Sequence, residues 1–101
     1  MKILLVCNAG MSTSMLVEKM KDEAANRDLD YEIKAESCNN FEDVVEKYDV
    51  VLLGPQIKYK EKSFKKIAEE KNVALDVVDS AAYGMVDGAK VLDQALSLLN
   101  D

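Results

Sequence analysis

The run Lys2-Ile3-Leu4-Leu5-Val6-Cys7 is apolar without alternation and is closed at once by Asn8-Ala9-Gly10. A strand apolar on both sides has no face to give to water, so it belongs inside a parallel sheet that is covered above and below. Asp49-Val50-Val51-Leu52-Leu53-Gly54-Pro55 repeats the pattern as a second buried strand, stopped by Gly-Pro.

Helical spacing fills the intervals. From Ser12 or Thr13 to about Arg27, Leu16, Met20 and Ala24 recur on one face, which predicts an amphipathic helix directly after the first turn. Tyr31 to Ser37 sets Tyr31, Ile33 and Ala35 against Glu32, Lys34 and Glu36, the alternation of an edge strand. Phe41, Val44, Val45 and Tyr48 mark a short helix, and Ser63 to Lys71 carries Phe64, Ile67 and Ala68 on another. Val73 to Val78 is the last strand. A loop containing Tyr83-Gly84 and Asp87-Gly88 follows, then a terminal helix with the stripe Val91, Leu92, Ala95, Leu96 and Leu99.

Strands alternating with helices imply right-handed crossovers. The expected fold is α/β, a three-layer sandwich around a parallel sheet of about four strands, with a single domain over residues 1–101. In such a sheet the functional edge is where the strands end.

Composition narrows the function. A net charge of −6 argues against nucleic acid, whose phosphates demand a Lys/Arg patch, and against an anionic membrane surface. The apolar runs fall far short of the roughly 20 residues of a spanning helix, so no membrane insertion is expected. Two cysteines without a secretory signal suit a reducing cytoplasm and a reactive thiol better than a disulfide. The chain has no His, which removes His bases, His metal ligands, Cys/His and Ser/His/Asp arrangements and any phosphohistidine of its own. No metal or cofactor is expected.

The chemistry then centres on Cys7-Asn8-Ala9-Gly10-Met11-Ser12-Thr13-Ser14. The segment places a thiol at a strand end, facing backbone amides at a helix start, where the positive end of the macrodipole holds a tetrahedral anion and favours thiolate over thiol. Gly10 lets the backbone curl, while Ser12, Thr13 and Ser14 offer hydroxyls to an anion or act as helix caps. A nucleotide P-loop does not fit, because G-x-x-x-x-G-K-[ST] is absent. The low-molecular-weight tyrosine phosphatase pattern, C-x5-R-[ST], comes closer and implies a thiol-dependent phosphatase or arsenate reductase on this type of scaffold. There an Arg grips the phosphate oxygens, and Thr13 stands in its place here. A loop without that clamp suits holding a phosphoryl group for transfer rather than hydrolysing it. An anion-sensing module in which Cys7 is never modified is the third reading.

The chain resembles enzyme IIB of the lactose/cellobiose (chitobiose) class of the sugar phosphotransferase system. The resemblance rests on Leu5-Val6-Cys7-Asn8-Ala9-Gly10-Met11-Ser12-Thr13-Ser14, on Leu52-Leu53-Gly54-Pro55-Gln56-Ile57, and on Asp79-Ser80 with Tyr83-Gly84 and Val86-Asp87-Gly88. It implies a cytoplasmic phosphotransferase in which Cys7 accepts a phosphoryl group from a phosphohistidine of enzyme IIA. Cys7 then passes it to a sugar bound by the membrane component IIC. By the same resemblance, residues 8–14 cradle the phosphate. Gly54, Pro55, Gln56, Ile57 and Tyr59, with Ser80, Tyr83 and Gly84, line the rim or meet a partner. Met11 and Ile57 are expected to be exposed and to help that contact, and Cys38 is expected only to pack.

Overall fold

The two unbroken apolar runs become the two central strands of a parallel sheet. The computed structural model describes residues 1–8 and 11–99, with strands β1 (Lys2–Cys7), β2 (Glu32–Ser37), β3 (Val50–Leu53) and β4 (Ala74–Val77) in the order β2-β1-β3-β4. Ile3 pairs with Ile33 on one side and Val50 on the other, and Cys7 pairs with Ser37. Ile3 to Cys7 and all of β3 are buried, whereas the edge strand β2 buries only Ile33. Its alternation is therefore that of a strand with one covered face.

The pleat sends successive side chains to opposite layers. Ile3, Leu5, Val50 and Leu52 pack with Leu16, Met20 and Ala24 of α1 (Met11–Asn26) and Val91, Leu92 and Ala95 of α5 (Gly88–Leu99). Leu4, Val6, Val51 and Leu53 pack with Phe41 of α2 (Phe41–Val44) and Ala68 of α3 (Glu61–Glu70). Phe41 and Phe64 stack at 4.2 Å between ring centroids, joining α2 to α3. On the other layer Gly88 is required: an added Cβ would meet the Lys19 backbone at 2.5 Å, so α5 begins hard against α1. Arg27 reinforces that pair by donating to Asp93 and Glu23, each at 2.7 Å, and these two bonds raise its proton affinity.

The boundaries differ from the periodicity in instructive ways. α3 begins at Glu61 rather than Ser63 because a 3-10 turn over Pro55–Lys60 runs directly into it. Residues 80–84, read as loop, form a short helix, α4 (Ser80–Gly84), whose start is capped by the Asp79 side chain accepting from the Ala82 N–H at 3.0 Å. Val86, between α4 and α5, has φ +53°, a left-handed conformation that a β-branched residue rarely takes. Among the described residues, no helix is long and apolar enough to cross a membrane.

Candidate functional site

Parallel strands bring every carboxyl end to one edge. The chain leaves β1 toward β2 and leaves β3 toward β4, so the crossovers diverge between β1 and β3, and the crevice there is where an open α/β sheet takes its ligands. Cys7 is the last residue of β1 and Gly54 the first after β3. The Gly54 N–H donates to the Val6 carbonyl at 2.8 Å. A Cβ on Gly54 would stand 3.5 Å from the Cys7 Cβ and 2.9 Å from Gln56 Oε1. A side chain at Gly54 would therefore crowd the Gln56 amide, and glycine avoids that at the point where the chain passes Cys7.

The thiol itself is recessed, with Cys7 only 3% exposed. Its sulfur accepts the hydroxyl hydrogen bond of Thr13, which lies in the first turn of α1 and is fully buried. Thr13 occupies the position where the phosphatase pattern places its Arg. A neutral donor therefore engages the sulfur where a cation would grip the phosphate. The first turn of α1 also carries no acidic side chain to oppose an anion.

The remaining loop residues are placed as follows. Asn8 is exposed, and its Oδ1 accepts a hydrogen bond from Cys38 Sγ at 3.5 Å. Ala9 and Gly10, expected to cradle phosphate, lie outside the described residues. Met11 and Ser12 supply the first backbone positions of α1. Ser14 is exposed on that turn and borders a groove between α1 and β2, lined also by Val17, Lys21 and Ile33.

On the rim, Pro55 opens the 3-10 turn and Gln56 is exposed. Ile57 corrects an expectation: it is fully buried with Val6, Leu53 and Phe41, not exposed for a partner. The backbone departs from helical geometry at Ile57, with φ −116° and ψ 24°, and the side chain joins the core. Tyr59 is 71% exposed. Ser80 and Gly84 are exposed on α4, while Tyr83 packs against the α1/α5 core.

Two residues acquire roles that sequence reading missed. Gln94 of α5 accepts from the Asp79 N–H at 3.0 Å and donates to Asp76 Oδ2 at 3.1 Å and the Val77 carbonyl at 2.7 Å. One amide thereby fastens the end of β4 to the cap of α4. The only sequence signal is a polar residue interrupting an apolar stripe. The second is Cys38, whose thiol props Asn8 across the β1–β2 pair. Among the described residues no group of three or more Cys, Asp or Glu side chains could hold a metal ion.

The profile of the "PTS system, Lactose/Cellobiose specific IIB subunit" family matches residues 2–94. The chain is 44% identical over 98 residues to the oligo-beta-mannoside-specific EIIB component of Bacillus subtilis (strain 168), covering 97% of this chain and 95% of that protein. It is also 44% identical, over 103 residues and with the same coverage, to the cellobiose-specific EIIB component of Lactococcus lactis subsp. lactis (strain IL1403). The galactose-specific EIIB component of Lactococcus lactis subsp. cremoris (strain MG1363) matches equally well, at 44% identity over 103 residues. Among solved structures, the cellobiose-specific IIB component of Borrelia burgdorferi superposes with a TM-score of 0.82 at 38% identity, covering 99% of this chain and 92% of that one. The lactose-specific IIB component domain of Streptococcus pneumoniae superposes with a TM-score of 0.87 at 18% identity, covering 96% and 95%, a likeness of fold.

Proposed function

This chain belongs to the lactose/cellobiose-specific IIB subunits of the sugar phosphotransferase system, and from that premise we propose that Cys7 is the residue that carries the phosphoryl group. The observation that bears most weight is the placement of Cys7 at the β1/β3 crevice with its sulfur accepting the Thr13 hydroxyl.

In the first half-reaction the Cys7 thiolate attacks phosphorus on a phosphohistidine of enzyme IIA. The S–P bond forms as the P–N bond breaks, and the departing imidazole takes up a proton. In the second, a hydroxyl of the sugar held by IIC attacks the same phosphorus. The O–P bond forms, the S–P bond breaks, the hydroxyl proton goes to solvent, and the thiolate is regenerated. A hydroxyl that donates to sulfur stabilises the anion in both resting intervals. Backbone amides at the start of α1 hold the phosphoryl oxygens in between. Thr13 supplies no positive charge to the equatorial oxygens, so water is not helped to attack and the group survives until the acceptor arrives.

The carrier works in the cytoplasm and docks IIA and IIC in turn by the edge that holds Cys7, Gln56 and Tyr83. The family relation supports the class of sugar only: three relatives of equal identity are named for three different sugars. The test is intact-mass analysis after incubation with phosphoenolpyruvate, the general phosphotransferase proteins and a matching IIA. We expect the mass of one phosphoryl group to be gained, and peptide mapping to place it on Cys7. A group carried elsewhere, or none, overturns the assignment.

A further inference from the structure

Residues 58–66 carry five lysines and one glutamate, a local charge of +4 in a chain of net charge −6, so the remainder carries −10. Three of the five lysines share one site. Lys58, Lys62 and Lys65 line a groove of about 380 Å³ together with Tyr59 and Glu61. All three lysines are exposed, and among the described residues none lies within ion-pair distance of a carboxylate, although 18 acidic residues lie elsewhere in the chain. Lys60 sits to the side with its ammonium 5.6 Å from the Tyr59 ring centre and 5.7 Å from that of Phe64, which helps hold the aromatic wall. The groove begins at Lys58, two residues after Gln56, in the 3-10 turn that follows the carboxyl end of β3.

We propose that this groove is the docking site for an acidic segment of the phosphohistidine donor. The proposal rests on the phosphocarrier reading and adds the surface and the charge of the partner. Of the two encounters such a carrier makes, the first has the greater electrostatic need. The donor arrives bearing a phosphoryl dianion and meets a chain that is negative overall. A local positive groove on the segment that follows the β3 end of the crevice converts that repulsion into steering. The alternative occupant, an anionic lipid surface, is disfavoured by charge. A membrane is an extended plane that would also face part of the −10 carried elsewhere, whereas a protein can place its carboxylates opposite the groove alone.

The experiment measures the second-order rate constant for phosphoryl transfer from phosphorylated IIA to the full chain, at low and high salt. The wild type is compared with Lys58→Glu/Lys62→Glu/Lys65→Glu and with the neutral Lys58→Gln/Lys62→Gln/Lys65→Gln. At low salt we expect the charge-reversed variant to be slower by about tenfold or more, the neutral variant to fall between, and the wild-type salt dependence to be lost. At saturating donor all three should converge, because the groove governs encounter and not bond making. Equal rates at low salt in the three proteins, with Cys7 still labelled, overturn the docking site and leave the carrier reading standing. Failure of the wild type to accept phosphate at any salt overturns both. A parallel arm uses vesicles of phosphatidylglycerol and phosphatidylcholine. Vesicle binding that the triple reversal abolishes, with transfer from IIA unchanged, overturns the protein partner in favour of a lipid surface.

Discussion

Cys7 and Cys38 are the two thiols of one small region, and they are used in opposite senses. Cys7 closes β1, is 3% exposed, and its sulfur accepts a hydrogen bond from Thr13. Cys38 opens the 3-10 turn after β2, is half-buried, and its sulfur donates to Asn8. Cys7 lies against a hydroxyl that can steady the sulfur while bonds to it form and break, whereas the Cys38 thiol is spent on its bond to Asn8. Reactivity in this region is therefore assigned by the neighbours of each thiol. Exposure alone would assign it the other way round.

The sharpest way to break this contrast is to exchange the sulfurs for oxygen one at a time. Cys7→Ser should abolish stable phosphoryl labelling in the phosphoenolpyruvate-driven system, and Cys38→Ser should label within about twofold of the wild type, since a hydroxyl can still donate to Asn8. Intact-mass spectra of both variants, side by side, decide it. Labelling that persists in Cys7→Ser would falsify the assignment of Cys7.

The contrast between the thiols was only half legible in the sequence. The Cys7 side is local: strand, turn and helix are contiguous, and Thr13 is six residues from Cys7, so spacing alone could flag it. The Cys38 side depends on β2 lying beside β1, which brings Cys38 to Asn8 across 30 residues, and no local pattern announces strand order. Ile57 failed for a related reason. An isolated apolar residue after Gly-Pro reads as loop, and only the change of backbone direction within Pro55–Lys60 turns it into the core. α4 was more accessible, because Asp79 before Ser-Ala-Ala is an N-cap signal that the neighbouring Tyr-Gly and Asp-Gly turns obscured. The central strands were the easiest elements to read, since their burial on both faces leaves an uninterrupted apolar run.

An intermediate test isolates the acceptor bond. Thr13→Val keeps the volume of a fully buried side chain and removes its hydroxyl. We expect alkylation of Cys7 by iodoacetamide at neutral pH to slow by about tenfold, the equivalent of about 1.4 kcal/mol, within the range of a hydrogen bond to a charged group. Alkylation of Cys38 in the same sample should be unchanged and serves as the internal reference. If both thiols slow together, the substitution has altered access to the whole edge, and the hydroxyl has no special claim on Cys7. Phosphoryl transfer from IIA should fall in parallel with Cys7 alkylation.

The smallest expected effect concerns the prop. Cys38→Ala removes the thiol donor to Asn8 along with a little packing against the α2/α3 layer, to which Cys38 contributes from its edge. A weak S–H donor at a half-exposed site is worth about 0.5 kcal/mol, so the thermal midpoint should drop by about 2–4 °C. The rate of transfer to Cys7 should change by less than about threefold, because Asn8 loses one tether while the start of α1 keeps its amides in place. Cys38→Ser separates the two contributions: it restores a donor but not the apolar sulfur, so a recovered transfer rate with an unrecovered midpoint means that the hydrogen bond to Asn8 acts on the loop and the packing acts on stability. Should Cys38→Ala instead slow transfer more than Thr13→Val does, the comparison of the two thiols inverts. Cys38 would then be a working part of the site, and the position of Asn8 would be what limits the chemistry at Cys7.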